Sequence, residues 1–287
     1  MKNESKTPLN KFPNKLLSIW QQSLLAILSG IMLSLSFLDA KYYIFAWIAY
    51  IPFLMALNGV GLLRSYCLGF ISGFALSVST SYWVVDFLML SKGYGVGLSV
   101  LWSLIFWFYC AQLNALIGLS FNWLKLRSRV HEIILFPVVI VTLYSVFPLL
   151  FPVRLGESQS QFLSAMQAIE FTGVHGLDAI IALSNIMLFR VIIRLFISQS
   201  ISQAQNAIWP WVLGIVAIVI WFTYGVFALQ SWELKIEDSK TIRLGIVQAN
   251  EAPSLEKFKP YFGYSRAYPP EMAMTERLSA ARADIVI

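Results

Sequence analysis

Charged residues are scarce in this sequence. They make up 13% of its 287 residues, whereas a soluble domain carries about 25%. The mean hydropathy is accordingly high, at +0.69. This composition excludes an ordinary soluble protein and indicates an integral membrane protein.

Cysteine and histidine are also rare, with two of each. Cys67 and Cys110 lie inside apolar runs, without metal-ligand spacing or a histidine nearby, so both are predicted to be small buried residues. His131 lies in a basic loop and His175 at the start of a helix, and neither is expected to take part in chemistry. The sequence therefore predicts no metal site and no cofactor.

The net charge of +6 comes from lysines and arginines in short tracts between apolar runs. A nucleic-acid-binding protein would carry them clustered on one face, so a nucleic-acid partner is not expected. Residues 1–15 are polar and basic. The apolar stretch behind them is longer than the core of a signal peptide, which predicts a retained first span.

Seven stretches are long and apolar enough to cross a bilayer, which takes roughly 20 residues. They predict a polytopic all-α membrane body over residues 16–230. The predicted spans are residues 16–37, 42–63, 66–90, 96–124, 133–153, 174–197 and 208–229. Within the third, Gly69 and Gly73 form a GxxxG pair, which is typical of close helix packing.

Basic residues predict the orientation of these spans, because they accumulate on the cytoplasmic side. With a cytoplasmic N-terminus, that side receives Lys2, Lys6, Lys11, Lys15, Arg64, Lys125, Arg127, Arg129, Arg190 and Arg194. The opposite side receives Lys41, Lys92 and Arg154. An odd number of spans then places the residues after the last span outside, which in a bacterial cell is the periplasm.

Three acidic residues lie near membrane depth. Asp39 and Asp86 fall near the ends of their spans and are interpreted as solvated interfacial carboxylates. Asp178 lies further inside its span, where an ionisable group needs a partner or a water-filled cavity, so it is a candidate functional residue.

One connection is longer than the others and begins at Phe151. Within it, residues 158–172 carry Phe162, Leu163, Met166 and Ile169 at helical spacing. Such an apolar stripe fits a segment lying on the outer leaflet of a protein that handles lipid. A lid packed against neighbouring helices fits the same pattern, and the sequence leaves both interpretations open.

Water-soluble sequence begins after Gln230. The apolar run Ile242–Leu244–Ile246–Val247 predicts a buried strand, residues 271–283 a helix, and residues 284–287 a second strand. This is a βαβ unit with a right-handed crossover. Alone it cannot bury enough surface to form a domain, so residues 231–287 are interpreted as an incomplete domain and the chain as truncated.

Several motifs, in this order, resemble apolipoprotein N-acyltransferase, a bacterial inner-membrane family that joins a polytopic body to a periplasmic nitrilase-like domain. They lie at residues 46–57 (AWIAYIPFLMAL), residues 69–83 (a glycine-rich span ending in Tyr82-Trp83), residues 151–156 (FPVRLG), residues 173–177 (GVHGL), residues 245–250 (GIVQAN) and residues 283–287 (ADIVI). Val153 departs from the pattern, since the family usually has tryptophan there, and this puts substrate specificity in question.

The resemblance implies an acyl transfer from a phospholipid to the N-terminal amine of a diacylglyceryl-cysteine lipoprotein, through a cysteine thioester on a carbon–nitrogen hydrolase fold. The Glu–Lys–Cys triad of the family is expected beyond Ile287, so this polypeptide alone is predicted to be inactive. The residues expected to face lipid or substrate are Tyr82, Trp83, Phe151, Pro152, Leu155, Gly156 and Asp178.

Two other functions fit the sequence. One is a membrane-tethered nitrilase-type amidase acting on a soluble substrate, which would consume no phospholipid. The other is a non-enzymatic transporter or scaffold. Transporters usually carry paired intramembrane charges or repeated halves, and no internal repeat is evident here.

Overall fold

A computed structural model describes residues 17–151, 153–196, 207–237, 239–248 and 270–287. The helices of the apolar body are α1 (Ile19–Leu38), α2 (Tyr50–Leu57), α3 (Leu62–Ser81), α4 (Val84–Lys92), α5 (Val96–Arg127), α6 (Glu132–Val146), α7 (Leu163–Met166), α8 (Ile169–Thr172), α9 (Val174–Phe196) and α10 (Trp209–Glu237). Two 3-10 segments, Ala40–Trp47 and Leu155–Gln159, complete this part. The expected helical body is confirmed.

Six helical stretches in the described residues are long and apolar enough to cross a membrane, whereas the sequence predicts seven. They are Ile19–Leu38, Ala40–Leu57, Leu62–Ser81, Val96–Arg127, Val174–Leu195 and Trp209–Ile236. The chain is therefore a multi-pass membrane protein.

The predicted span at residues 133–153 is shorter than expected. Its helix α6 has 15 residues, or roughly 22 Å, against a hydrocarbon core of about 30 Å. The helix ends at Val146, and the residue that follows it, Phe147, is extended with ψ 123°. The next residue is Pro148, and a residue before proline is disfavoured in helical conformation.

The predicted span at residues 66–90 is divided between two helices. Helix α3 begins earlier, at Leu62, and ends at Ser81, and α4 follows as a separate helix. Helix α4 ends at Gly93, whose φ of +65° is a left-handed conformation that glycine adopts readily.

Glycines bring α1, α3 and α5 into close contact. A Cβ atom on Gly69 would lie 2.3 Å from the carbonyl oxygen of Asn114, and one on Gly73 would lie 2.7 Å from that of Ala111. Gly30 on α1 approaches the carbonyl oxygen of Ser72 in the same way. The packing role predicted for Gly69 and Gly73 is confirmed.

The core of the apolar body surrounds α2. Tyr50, Phe53 and Leu54 are almost completely buried there. The ring of Phe136 on α6 packs edge-on against Tyr50, at 5.5 Å between centroids, and against Phe121, at 5.2 Å. These contacts tie α2, α5 and α6 together.

The predictions for Asp39 and for the two cysteines have different outcomes. Asp39 forms an exposed ion pair with Lys41 at 2.8 Å, which fits an interfacial carboxylate. Cys110 is partly buried, but Cys67 is exposed, so the prediction that Cys67 is buried is wrong. Cys67 lies on the outer surface of the apolar helix α3.

The described residues divide into two compact units. The first contains the described residues up to Tyr82 together with Leu104–Leu229, and the second contains Trp83–Ser103 and the described residues from Gln230 onwards. In the second unit, strand β1 (Leu244–Gly245) pairs in parallel with β2 (Ile285–Val286), and helix α11 (Pro270–Ala280) lies between them in the sequence.

The strands of the second unit follow the predicted βαβ order, but the prediction that they are buried is wrong, because Leu244 and Ile285 are 52% and 48% exposed. Leu244 is paired with Ile285 and Gly245 with Val286. The N–H of Ile287 donates to the carbonyl oxygen of Gly245 at 2.9 Å, and the N–H of Val247 donates to that of Ile287 at 2.8 Å. Leu278 of α11 lies against Gly245, so the helix covers one face of the pair.

Candidate functional site

The 153–172 segment is attached to the helices of the first unit at three places. The first attachment is a hydrogen bond from the N–H of Gly156 to Asp178 Oδ1, at 2.8 Å. Asp178 has no exposed surface. A buried carboxylate requires such partners, because its desolvation is otherwise costly.

Two basic side chains lie around the same carboxylate. His175 Nδ1 is 3.6 Å from Asp178 Oδ2, and Arg154 interacts with Asp178 electrostatically. Among the described residues, Asp178 Oδ2 has no hydrogen-bond partner, and neither has Arg154 Nη1, although both atoms are buried. Asp178 therefore has the partners that a carboxylate inside a span requires, although only one of its two oxygens accepts a hydrogen bond from the described residues.

Gly156 lies flat on α9. A Cβ atom at this position would be 2.7 Å from Val174 Cγ2 and 3.2 Å from Leu177 Cβ. Only a residue without a side chain lets the backbone approach this closely. The absence of a side chain thus permits the Gly156–Asp178 hydrogen bond.

The second attachment involves Gln159, which is completely buried. Its Oε1 accepts a 2.8 Å hydrogen bond from Trp47 Nε1. Its Nε2 donates to the carbonyl oxygen of Tyr43 at 3.1 Å and to Ser158 Oγ at 2.7 Å. One side-chain amide therefore links the 155–159 turn to the 3-10 segment that precedes α2.

The third attachment is made by α10. Trp221 Nε1 donates a 2.8 Å hydrogen bond to the carbonyl oxygen of Ala165. Gly225, one turn further along, lies directly against Ser164, where a Cβ atom would overlap the carbonyl oxygen. The ring of Phe162 packs between Tyr43, at 5.2 Å, and Phe222, at 5.5 Å.

These contacts decide between the two interpretations of residues 158–172. Phe162, Met166 and Ile169 pack against the core, so this part of the connection is a lid held on neighbouring helices. Residues 153–172 together form the lid segment. Leu163 and Phe171 remain exposed, at 52% and 71%. Three of the four residues of the apolar stripe therefore face the protein, whereas Leu163 and the neighbouring Phe171 are left outside.

A second polar network lies deeper, around the start of α2. Asn185 of α9 accepts from the N–H of Tyr50 at 2.9 Å and donates to the carbonyl oxygen of Ala46 at 2.9 Å. The hydroxyl groups of Tyr50 and Tyr144 are 3.3 Å apart. Asn185 satisfies backbone groups that the change from 3-10 to α-helix leaves open, and such backbone is tolerated at membrane depth only when it is satisfied inside the protein.

The predicted site residues have different surroundings. Phe151, Tyr82 and Trp83 are exposed, at 54%, 62% and 44%. Leu155, Gly156 and Asp178 are buried in the helical body. Pro152 lies outside the described residues. The structure thus brings Gly156 and Asp178 together directly, with Leu155 beside them.

Sequence reasoning missed Trp47, Gln159, Asn185 and Tyr144 as a set. Polar side chains within apolar stretches are costly unless they have partners. Asn185 in the middle of a predicted span was such a signal, and it pointed to an interaction without identifying the partner. These hydrogen bonds hold residues 153–172 in one position on the helices. The polar groups of the network serve to position this segment.

Comparison with known proteins places the first two attachments, to Asp178 and to Trp47, within a recognised domain. The family model of the apolipoprotein N-acyltransferase N-terminal domain matches residues 29–187. An apolipoprotein N-acyltransferase of Geobacter metallireducens is 30% identical over 265 residues, which cover 89% of this chain and 47% of that protein. The chain spans about half the length of this relative.

Proposed function

Because the chain belongs to the apolipoprotein N-acyltransferase family, we propose that it forms the membrane body of an enzyme that acylates lipoproteins. A cysteine thiolate attacks an ester carbonyl of a phospholipid, forming a thioester and releasing a lysophospholipid. The N-terminal amine of a diacylglyceryl-cysteine lipoprotein then attacks the thioester, forming an amide and regenerating the thiol.

The observation that carries this proposal is the family match over residues 29–187, which contains the lid segment and its attachments to Asp178 and Trp47. Two lipid-bearing substrates have to reach one site from the bilayer. A segment held by hydrogen bonds gives that site a rigid boundary. Reactants can be positioned only against groups that stay in place. The exposed aromatic residues Phe151, Tyr82 and Trp83 are proposed to face lipid or substrate, since aromatic rings favour the membrane interface.

We assign a seventh crossing to α6 despite its length. Glu132 at its start lies 3.7 Å from Arg190, and Ser145 near its end lies 3.5 Å from His175. Helix α6 therefore runs antiparallel along α9 from the last turns of α9 to its first turn. If α9 crosses the bilayer, α6 covers nearly the same depth.

Seven crossings preserve the orientation that the basic residues indicate. The proposed location is the bacterial inner membrane, with the N-terminus in the cytoplasm and the second unit in the periplasm. The parallel β1–β2 pair with α11 supports the start of a nitrilase-like domain. The Glu–Lys–Cys triad is proposed to lie in sequence that follows Ile287 in full-length relatives.

An acylation assay tests the proposal. Residues 1–287 are joined to the second half of the Geobacter metallireducens relative and supplied with phospholipid and a diacylglyceryl-cysteine peptide. We expect a triacylated peptide and an equal amount of lysophospholipid. The 287-residue polypeptide, as the matched control, should yield neither product.

Three results would contradict parts of the proposal. Hydrolysis of a soluble amide without consumption of phospholipid would indicate a membrane-tethered amidase. Acyl transfer by the 287-residue polypeptide would place the catalytic groups within it. A reporter fused after Leu229 that faced the cytoplasm would contradict the orientation.

A further inference from the structure

An apolar groove of about 250 Å³ lies among α6, α9 and α10. Pro137 and Val138 form one wall, Leu213 and Ala217 the other, and Ala179 and Leu183 the floor. Every residue that lines it has an apolar side chain or none. The groove is separate from the attachments of the lid segment described above.

Small and cyclic residues create this groove. Gly214 brings α10 close to α9, where a Cβ atom would lie 2.7 Å from Met187 Sδ. Ala179 and Ala217 add little volume, and Pro137 and Pro210 carry compact rings. Helices α9 and α10 therefore approach closely at Gly214 and leave a hollow beside this contact, whose lining includes the exposed side chains of Val138 and Leu213.

Hydrocarbon is the solvent around this groove, because all three helices belong to the apolar body. An unfilled hollow of this volume would forfeit contacts for all of its lining side chains. A lipid acyl chain fits an apolar hollow that offers no polar partners among its lining residues. Burial in the groove does not by itself favour any particular lipid, because lipid tails are as apolar as the groove.

Charged side chains at one end of the groove select among lipids by the charge of their headgroups. The lining residue Ile133 follows Glu132, whose carboxylate is 2.9 Å from Lys125 Nζ and 3.7 Å from Arg190 Nη1. Arg190 is two turns beyond Leu183 and lies on the same face of α9. Two cationic groups thus surround one carboxylate, and the Lys125 side chain is 27% exposed. The excess positive charge is complementary to an anionic lipid headgroup.

We propose that this groove binds one acyl chain of an anionic phospholipid whose headgroup lies against Lys125, with Arg190 adding positive charge from beneath the surface. In the proposed orientation this lipid belongs to the cytoplasmic leaflet. It is therefore a bound lipid distinct from an acyl donor used on the periplasmic side. The proposal does not depend on acyltransferase activity, and its test measures lipid contact alone.

The test uses photo-crosslinking in proteoliposomes that contain the full chain. The probe is phosphatidylglycerol with a diazirine in the middle of one acyl chain, and labelled residues are mapped by mass spectrometry. A phosphatidylcholine probe with the same tails is the headgroup control. We expect the phosphatidylglycerol probe to label the groove walls severalfold more than the exposed Val219 and Ile220, and the phosphatidylcholine probe to show no such excess.

A matched pair of variants separates the groove from the general lipid surface. Ala217→Phe fills the groove, whereas Val216→Phe adds the same ring on the neighbouring residue, which is 45% exposed. Labelling of the groove walls should be lost with Ala217→Phe and retained with Val216→Phe. Thermal unfolding of both variants in detergent checks that each remains folded.

Three results would overturn the proposal. One is labelling that is uniform over the exposed face of α10 and unchanged by Ala217→Phe. Another is equal labelling of the groove walls by the two probes, which removes the role of the charged end. The third is a protein–protein crosslink between groove residues, which identifies a second copy of the chain as the occupant.

Discussion

Asp178 and Gly156 are joined by a hydrogen bond of 2.8 Å between a buried carboxylate in a membrane helix and a backbone N–H of the preceding connection. The two residues are 22 positions apart in sequence. The bond joins α9 to the 3-10 turn at residues 155–159, near the start of the lid segment. It gives the intramembrane carboxylate a structural role, and it can be tested by substitution.

Replacing Asp178 by leucine is expected to destabilise the protein. The Gly156 N–H would then be buried without an acceptor, at a cost of about 1–3 kcal/mol in the free energy of unfolding. Asp178→Asn retains an acceptor oxygen and should lose less. Thermal unfolding in detergent measures both. If the leucine variant is as stable as the unmodified protein, the hydrogen bond contributes nothing.

Replacing Gly156 by alanine is expected to push the lid segment away from α9. The added Cβ would lie 2.7 Å from Val174 Cγ2, and such overpacking costs about 1–3 kcal/mol. Adding Val174→Ala removes the opposing methyl group and should restore part of the loss. Gly61→Ala, where a Cβ atom would meet nothing within 4 Å, is the control. A Gly156→Ala protein with unchanged stability would contradict this packing.

The Trp47–Gln159 hydrogen bond predicts coupling between two distant positions. Trp47→Phe leaves Gln159 Oε1 without its donor, and Gln159→Leu leaves Trp47 Nε1 without its acceptor. Each single variant should lose stability, and the double variant should lose less than their sum, with an interaction energy of about 0.5–1.5 kcal/mol. Additive losses in a double-mutant cycle would show that the two side chains act independently.

Close packing of α3 on α5 predicts a large effect at Gly69. A Cβ atom there would lie 2.3 Å from the backbone oxygen of Asn114, and backbone cannot move aside as a flexible side chain can. Gly69→Ala should therefore cost about 3 kcal/mol, at the upper end of overpacking effects. Gly97→Ala in α5, which meets nothing within 4 Å, should be neutral or stabilising. Equal unfolding temperatures for the two variants would rule out the close contact.

Boundaries of the apolar helices were predictable to different degrees. The run after Ile208 was read correctly as a span, because its composition alone excludes a soluble helix. The end of α6 was misplaced, because hydropathy continues through residues 147–153 while the backbone leaves the helix before Pro148. Hydropathy records preference for lipid, and helix ends depend on backbone geometry as well.

The candidate site was predictable as a location and not as a network. Asp178 was singled out because a carboxylate inside a span needs a partner, and Gly156 was singled out separately by family resemblance. Their hydrogen bond could not be deduced. Gln159 was not singled out, because its partner Trp47 lies 112 residues away and sequence spacing carries no record of such a pairing.

The amino-acid sequence by itself determined that this protein belongs in a bilayer, roughly where most of its apolar helices lie, and which family its motifs resemble. These properties follow from local composition, because transfer into lipid is decided segment by segment. Only the tertiary structure decided that residues 158–172 pack on the helices, that Asn185 serves the backbone of Tyr50, and that an apolar groove remains beside α9. Those outcomes depend on which surfaces meet when helices pack, and that is a property of the whole fold.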